Sequence, residues 1–418
     1  MTECNLPNRT IFCDDNLDVL RGINSECIDL IYLDPPFNKN KKFTAPIGSI
    51  ADGAEFSDIF REEDVKDEWL VTIREDQPEL YHYLNGIKGV GNSYNFAYLA
   101  YMAIRFLECH RVLKSTGSIY LHCDPTMSHY LKALMDCVFG EDNFRNEIVW
   151  FYSNASRGKT QWAKSHDIIL WYAKSEKGGR FNRKDVLVPF QSGMTAWRYT
   201  KGGQAGKPIP KGKTPDDVIS IPSLNAMAKE RTGYPTQKPL ALLDRIIKAS
   251  SNENDIVLDP FCGCATTCVA AEHLGRQWIG IDVSVKAYEL VKERLTKEAA
   301  DPDDLIKRQN EIHLRTDPPT RTDLGTDYRE KKFVYVISHP AYPGEYKVGI
   351  AKNWKSRLNA YQTSDPDRQY KMEYNLETRR FRETERHIHD VFPNKHEWVQ
   401  GDLDKIVAEI ESWVKISG

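Results

Sequence analysis

The run IDLIYLDPPF, residues 28–37, places an acid and an aromatic ring at the end of an apolar segment. Proline has no N–H to donate to a strand ladder, so a strand in this run must end at Pro35 and Pro36. The rings of the two prolines also limit the backbone between Asp34 and Phe37. We therefore predict a carboxylate and an exposed ring held rigidly at the end of a strand.

The turn DPFCGCATT, residues 259–267, is a second candidate site, because it joins the apolar run IVL to a helical pattern. Small residues at such a turn let a cofactor approach the backbone, and an acid about 20 residues further on can bind ribose hydroxyls. Asp282 ends the next apolar run and is that acid. The GxGxxG phosphate-binding pattern is absent, which argues against a dinucleotide. An ordinary strand–helix corner is the alternative for this turn taken alone.

The elements that must position these residues alternate along the chain. Strand patterns occupy residues 9–15, 27–36, 118–124, 255–261 and 277–283, with helical patterns between them. This alternation indicates a mostly parallel sheet covered on both faces. We predict an α/β, doubly wound domain over residues 1–298. Its region 151–230 is rich in glycine and lysine loops, and an insertion of this kind is usually functional.

The remainder of the chain has a different character. Residues 299–330 are polar and contain prolines, and we predict that they form a linker. Residues 331–418 contain paired strand patterns and a last helix with an apolar stripe, which predict a small α+β domain.

Composition excludes several classes of protein. The net charge of the 418 residues is −3, so composition alone carries no nucleic-acid signature. No apolar run reaches the ~18 residues that span a membrane, and the N-terminus lacks a secretory pattern. The nine cysteines, without CxxC spacing, suit reduced thiols. We expect a cytoplasmic protein without membrane contact.

Three motifs together resemble those of S-adenosylmethionine-dependent DNA amino-methyltransferases. LDPPF resembles the catalytic motif, DPFCGCATT resembles the cofactor turn DPFxGSGTT, and PTQKPLALLDRII, residues 235–247, resembles the segment before that turn. Their order, with the catalytic motif first and the cofactor turn last, is that of the family's β group. The resemblance covers residues 9–298 and implies a Rossmann-like methyltransferase sheet with an inserted target-recognition region. Cys264-Ala265 departs from the usual Ser-Gly, and a position with positive φ would disfavour alanine.

The resemblance implies roles for the residues of the motifs. Asp34 and the carbonyl of Pro35, which Pro36 helps to fix, would accept the N–H groups of an exocyclic amine on double-stranded DNA, and Phe37 would stack on the extruded base. Lys238 would lie near the methionine carboxylate of S-adenosyl-L-methionine, and Asp282 at its ribose. The remaining implied cofactor residues are Asp14 near the adenine, with Asp15 as a competitor, and Asp259, Phe261, Gly263 and Thr267.

The target base follows from two further observations. C5-cytosine enzymes attack through a Pro-Cys cysteine, and the chain contains no Pro-Cys pair, so an amine is the target. In the family an aspartate before the prolines usually accompanies methylation of adenine N6, and a serine more commonly accompanies methylation of cytosine N4. We therefore predict an adenine-N6 methyltransferase of restriction-modification or phage defence, with cytosine N4 as the alternative. An RNA or protein amine methyltransferase and an inactive DNA-binding regulator are the rival interpretations.

The family places its target-recognition segment in the 151–230 region, and basic side chains there would pair with phosphates. The candidates are Lys159, Arg183, Arg198, Lys201, Lys207 and Lys211. The alternative is a solvated basic loop without a role in DNA binding. Members of this group often form homodimers, which the sequence leaves open.

The tail, about residues 333–400, resembles a divergent GIY-YIG nuclease fold. Tyr335, Gly349, Arg357 and Glu385 would match its tyrosine, glycine, arginine and metal-binding glutamate. In such sites one Mg²⁺ on the carboxylate polarises the phosphate while the tyrosine activates water. Lys347 stands where the second motif usually begins with tyrosine, so a DNA-binding module without cleavage is the alternative.

Overall fold

A computed structural model describes residues 3–152, 159–160, 162–189, 212–225, 227–297, 310–323, 332–351, 354–378, 381–395 and 398–416. The chain divides into two compact units, Met1–Asp323 and Leu324–Gly418. Within the described ranges no helix combines the length and apolar character that crossing a bilayer requires.

A nine-stranded sheet forms the centre of the first unit, in the order β11-β1-β10-β9-β2-β5-β7-β6-β8. Its strands are β1 (Thr10–Cys13), β2 (Ile28–Leu33), β5 (Leu113–Cys123), β6 (Phe144–Phe151), β7 (His166–Ala173), β8 (Val218–Ser220), β9 (Ile256–Asp259), β10 (Gln277–Asp282) and β11 (His313–Arg315). Among the described strands of this sheet, β7 alone runs antiparallel to its neighbours. The sheet is therefore mixed at one end and parallel across the strands that carry the two motifs.

Helices cover both faces of this sheet. Those of the described part of the first unit are α1 (Asn16–Gly22), α2 (Asp67–Asp76), α3 (Pro78–Gly89), α4 (Ser93–Val112), α5 (Ser128–Phe139), α6 (Leu240–Ser250), α7 (Thr266–His273) and α8 (Lys286–Thr296). In β2 the side chains of Ile31 and Leu33 join the core beneath α4 and α5. Leu30 and Tyr32 join the opposite core beneath α6 and α7. Because alternate residues of a strand face opposite sides, the continuous apolar run IDLIYL is buried on both.

The parallel order brings four acids to one edge of the sheet. Asp34 follows β2, Asp259 ends β9, Asp282 ends β10 and Asp14 follows β1, and these strands are neighbours. The carboxyl ends of parallel strands form the edge at which ligands bind in open α/β sheets. The elements predicted from periodicity therefore lie where the two motifs can share one site.

Two regions differ from the sequence prediction. Residues 310–323, assigned to a linker, belong to the first unit, where β11 pairs with β1 and the Ser25 N–H donates to Asp323 at 2.7 Å. A three-residue edge strand is too short to leave a periodic signal, so the composition of the segment concealed it. The second region, between β2 and α2, forms the hairpin β3 (Lys41–Thr44) and β4 (Glu55–Asp58).

The second unit has a five-stranded sheet in the order β14-β12-β13-β16-β15. Its strands are β12 (Lys332–Ser338), β13 (Glu345–Ala351), β14 (Lys371–Thr378), β15 (Asn394–Lys395) and β16 (Trp398–Gln400), and its helices are α9 (Trp354–Ser364), α10 (Phe381–Val391) and α11 (Leu403–Ile416). Ile406 and Ile410 of α11 pack with Val334 and Ile388 in a core of its own. This arrangement is the small α+β domain that the periodicity predicts.

Candidate active site

One cavity of about 550 Å³ joins the two motifs at the carboxyl edge of the first unit's sheet. Its volume lies within the roughly 300–1,000 Å³ of small-molecule sites. All the residues proposed for catalysis and cofactor binding line it: Asp14, Asp34, Pro35, Pro36, Phe37, Lys238, Asp259, Phe261, Gly263, Thr267 and Asp282. The fold thus brings together residues that lie up to 268 positions apart in sequence, from Asp14 to Asp282.

The DPPF motif forms one wall of this cavity. Asp34 is 19% exposed and accepts a hydrogen bond from Lys238 Nζ at 2.6 Å. The same ammonium lies 5.2 Å from the centroid of the Phe37 ring. Phe37 also stacks on His122, with centroids 5.8 Å apart and an interplanar angle of 21°. A buried imidazole therefore supports the ring, and the Lys238 ammonium lies near it.

A polar network that the sequence motifs did not predict lies beneath Phe37. His122 is fully buried, with its Nε2 3.1 Å from Asp167 and its Nδ1 2.9 Å from the Tyr32 hydroxyl. Burial, with nearby Lys238, holds the pKa of His122 below its ordinary value. The Tyr152 hydroxyl donates to the other Asp167 oxygen at 3.2 Å.

Burial alone would raise the pKa of Asp167, but the hydrogen bonds from His122 and Tyr152 bring it below its ordinary value. The network thus holds the imidazole that supports the Phe37 ring. The HCD triplet was the available signal, since it lies at the end of β5, at the same edge of the sheet as the two motifs.

The glycine turn uses left-handed backbone at two positions. Gly263 has φ +51°, and a Cβ there would lie 3.0 Å from the ring of Tyr234. Ala265, which replaces the family's glycine, caps α7 with φ 56° and ψ 33°. The left-handed region costs a non-glycine residue about 1–2 kcal/mol. The departure predicted from the sequence therefore falls on a position where glycine is favoured.

Two acids at this turn have raised pKa values. Burial raises the pKa of Asp259 to about 7, although its hydrogen bond with Thr267 opposes the shift. Burial likewise raises the pKa of Asp282 to about 6. Asp282 accepts the N–H of Gly263 at 3.0 Å and that of Ser284 at 2.8 Å, so its carboxyl group is fixed against the turn.

The structure distinguishes the two adjacent acids after β1. Asp15 accepts the N–H of Leu17 as the N-cap of α1, and it pairs with the buried Arg105 at 2.9 Å. Its carboxylate therefore has a structural function. Both acids line the cavity, and Asp14 accepts the N–H of Asp15 at 2.7 Å. Because the N-cap bond and Arg105 engage the Asp15 carboxylate, Asp14 is the better candidate for contact with a ligand.

The β3–β4 hairpin adds two aromatic rings to the cavity wall, next to Tyr234. Phe43 and Phe56 stack with centroids 4.9 Å apart, and Phe56 lies 6.3 Å from Tyr234. All three rings line the cavity. The open backbone at Gly263, the acid at the end of β10 and this apolar wall fit an adenosine-bearing cofactor, because adenosine has a flat ring and a hydroxyl-bearing ribose.

The proposed DNA-binding residues fall mostly outside the described residues, as Arg198, Lys201, Lys207 and Lys211 do. Lys159 is exposed. Arg183 is also exposed and donates from Nε to Thr214 Oγ1 at 2.6 Å. These two side chains are thus accessible at the surface of the first unit.

The second unit brings two tyrosines together. The hydroxyls of Tyr335 and Tyr361 lie 3.1 Å apart, and a Cβ at residue 349 would lie 2.6 Å from the Tyr335 hydroxyl, so Gly349 provides the space for that side chain. Lys347 lies 4.7 Å from the Tyr361 ring.

Arg357 is exposed on α9, and Glu385 is partly buried on α10. No cluster of three metal-binding side chains occurs among the described residues, so they give the predicted Mg²⁺ site no support.

Comparison with known proteins gives matches for both units. The family model for DNA methylases matches residues 28–293, and that for the T5orf172 domain, rather than GIY-YIG specifically, matches residues 332–415. Type II methyltransferase M.HpaI of Haemophilus parainfluenzae is 30% identical over 292 residues, 70% of this chain and 75% of that protein. DNA adenine methyltransferase YhdJ of Escherichia coli K12 is 30% identical over 288 residues, 69% of this chain and 82% of that protein. The solved structure of the cytosine-N4-specific PvuII DNA methyltransferase covers 75% of this chain and 98% of its own, with 15% identity and a TM-score of 0.45.

Proposed function

This chain belongs to the DNA methylase family, and from that premise we propose that it methylates the exocyclic amine of a base extruded from double-stranded DNA. The cavity shared by the DPPF motif and the glycine turn carries the proposal, because it places an acceptor carboxylate beside a cofactor-sized space. S-adenosylmethionine, when bound, supplies a methyl group that the sulfonium has already activated. The protein's task is therefore alignment and charge placement.

The proposed role of Asp34 follows from the chemistry of the amine. The lone pair of an exocyclic amine is delocalised into the base, so the nitrogen is a poor nucleophile. Asp34 and the Pro35 carbonyl each accept one N–H, which favours a pyramidal nitrogen with its lone pair directed at the methyl group. Phe37, supported by His122, provides the face on which the extruded base stacks.

Adenine N6 is the proposed target. An aspartate before the two prolines usually accompanies this base in the family, and one relative of this chain is named a DNA adenine methyltransferase. Cytosine N4 is the alternative, since the same two acceptors serve that amine equally well. The Type II methyltransferase among the relatives supports a place in restriction-modification.

The cofactor residues are proposed on the cavity lining. Asp282 accepts hydrogen bonds from the ribose hydroxyls, and Asp14 lies toward the adenine. Phe261, Gly263 and Thr267 line the turn, where Asp259 accepts the N–H of Phe261 at 3.0 Å and holds the backbone in place. Lysines and arginines of the 151–230 region, including the exposed Lys159 and Arg183, pair with DNA phosphates.

Nucleoside mass spectrometry tests the reaction. DNA from a methylation-deficient host that expresses this chain is expected to contain N6-methyladenine, and Asp34→Ala is expected to remove it. Asp18→Ala, an exposed carboxylate of α1, is the matched control and is expected to leave the mark in place. N4-methylcytosine would overturn the base assignment while keeping the mechanism. Neither mark, with soluble protein, would favour an inactive DNA-binding regulator or a substrate other than DNA.

For the second unit we propose a GIY-YIG-like, Mg²⁺-dependent DNA nuclease. The pair of tyrosine hydroxyls supports it, because Tyr361 offers a phenol beside Tyr335 where Lys347 replaces the usual tyrosine. Glu385 is the proposed metal ligand, and Arg357 the residue that stabilises developing charge. Nicking of unmethylated DNA with Mg²⁺ is expected to disappear in Glu385→Ala. Absence of cleavage in every divalent metal would instead indicate a DNA-binding module.

A further inference from the structure

Lys238 and Asp34 form an ion pair inside the cavity that the sequence analysis did not predict. The Lys238 side chain is 7% exposed, and its Nζ donates to Asp34 Oδ2 at 2.6 Å and to the Thr236 carbonyl at 3.3 Å. The motif resemblance assigns this lysine instead to the methionine carboxylate of the cofactor. One buried ammonium thus has two candidate carboxylate partners.

The pair opposes the proposed chemistry while it persists. Asp34 must accept one amine N–H, and Lys238 already donates to its Oδ2. The amine nitrogen also gains positive charge as the methyl group arrives, and an adjacent ammonium in a partly desolvated site raises the energy of that charge. The paired state therefore suits the enzyme before catalysis and disfavours the transition state.

We infer that Lys238 is a positioning residue that couples cofactor binding to the release of Asp34. Lys238 holds Asp34 in the free protein and transfers its hydrogen bond to the cofactor's carboxylate, which leaves both Asp34 oxygens available to the amine. The inference rests on the proposed function and deepens it, because it makes the cofactor bind before the base is productively held. A ligand that lacks the amino-acid end cannot draw Lys238 away.

Binding of two adenosine ligands to the full-length protein tests the coupling without any DNA. S-adenosylhomocysteine carries the carboxylate, and 5′-methylthioadenosine keeps the adenosine and sulfur but lacks the amino-acid end. Their dissociation constants are measured by isothermal titration. In Asp34→Asn, Lys238 no longer has a competing carboxylate, so S-adenosylhomocysteine is expected to bind about 5- to 10-fold more tightly, near the lower end of typical coupling energies. Methylthioadenosine is expected to bind with unchanged affinity.

The remaining variants separate this coupling from a general effect of charge. Lys238→Met is expected to weaken the binding of S-adenosylhomocysteine at least about 5-fold and to leave the affinity for methylthioadenosine unchanged. Binding of methylthioadenosine also shows that the pocket is intact. In Lys238→Met the addition of Asp34→Asn is expected to have no further effect. Lys41→Met removes another cation of the cavity wall, one that lies over Phe43, and is expected to leave the ratio of the two affinities unchanged.

Three outcomes overturn the inference and leave the proposed function in place. An equal ratio of affinities in wild type and Lys238→Met would show that Lys238 does not meet the carboxylate. Weaker or unchanged S-adenosylhomocysteine binding in Asp34→Asn would show that the two carboxylates do not compete. If Asp34→Asn also tightened the binding of S-adenosylhomocysteine when added to Lys238→Met, the effect would be one of charge alone. Failure of both ligands to bind the wild-type protein would instead refute the proposed function, and this inference with it.

Discussion

The affinity of the cavity for an adenosine ligand is expected to fall as the pH drops through about 6, the raised pKa of Asp282. Burial at the end of β10 disfavours its carboxylate, although backbone N–H groups of Gly263 and Ser284 bond to it. Ribose hydroxyls donate to a carboxylate more strongly than to the neutral acid. Protonation of Asp282 therefore removes the form that we propose binds ribose.

The size of the effect follows from the pKa. With a pKa of about 6 the ionised fraction of Asp282 is nearly complete at pH 7 and falls about tenfold by pH 5. The dissociation constant of S-adenosylhomocysteine is therefore expected to rise about 10-fold across this interval. Asp282→Asn is expected to weaken binding by about 1.5–3 kcal/mol, roughly 10- to 150-fold. It is also expected to remove most of the pH dependence of the dissociation constant.

The fold does not depend on ionisation of this acid. A carboxyl group whose folded pKa is raised stabilises the folded state fully below its unfolded value, 3.8, and this stabilisation is lost as the pH rises through about 6. Asp259, with a pKa raised to about 7, acts in the same direction. For these two groups, acidification to pH 5 thus favours folding. A loss of affinity at pH 5 therefore cannot result from unfolding of the site that protonation of Asp282 or Asp259 causes.

Isothermal titration between pH 5 and 7 measures this dependence, with circular dichroism to verify the fold at each pH. A flat profile in the wild-type protein would refute the argument that ionised Asp282 holds the ribose. An unchanged slope in Asp282→Asn would assign the titration to another group, and Asp259→Asn is the variant that would then be expected to remove it.

Three further substitutions test the supports of the site. Phe37→Leu is expected to lower kcat/KM about 5- to 150-fold with S-adenosylhomocysteine binding retained, because a stacked base contributes about 1–3 kcal/mol, and unchanged kinetics would refute the stacking role. Asp167→Leu leaves the hydrogen bonds of His122 and Tyr152 without their acceptor. Chemical denaturation is therefore expected to show a free energy of unfolding lower by at least about 1–3 kcal/mol, and an unchanged value would contradict the role of the network. Ala265→Gly is expected to change the free energy of unfolding by less than about 1 kcal/mol. Relief of the left-handed strain contributes about 1–2 kcal/mol. The flexibility of glycine, about 0.5–1 kcal/mol, and the lost burial of the methyl group, about 0.8 kcal/mol, offset it. A clearly larger loss would show that packing of this methyl group dominates.

The alternation of the main strands and helices can be predicted from the sequence, and so can the positions of both motifs. These features are local: an apolar run that ends in two prolines must end a strand, and period-3.6 stripes such as that of α6 indicate helices whatever surrounds them. The positive φ at Ala265 was also foreseeable, because a motif that usually has glycine there marks a constrained backbone.

Which side chains meet depends on the tertiary structure. Lys238 reaches Asp34 across 204 positions, and His122 supports Phe37 from the neighbouring strand β5. The edge strand β11 and the hairpin wall likewise depend on which segments lie side by side. Such contacts depend on strand order and side-chain rotamers, which balance many weak interactions over the whole core, and no local pattern in one chain specifies that balance.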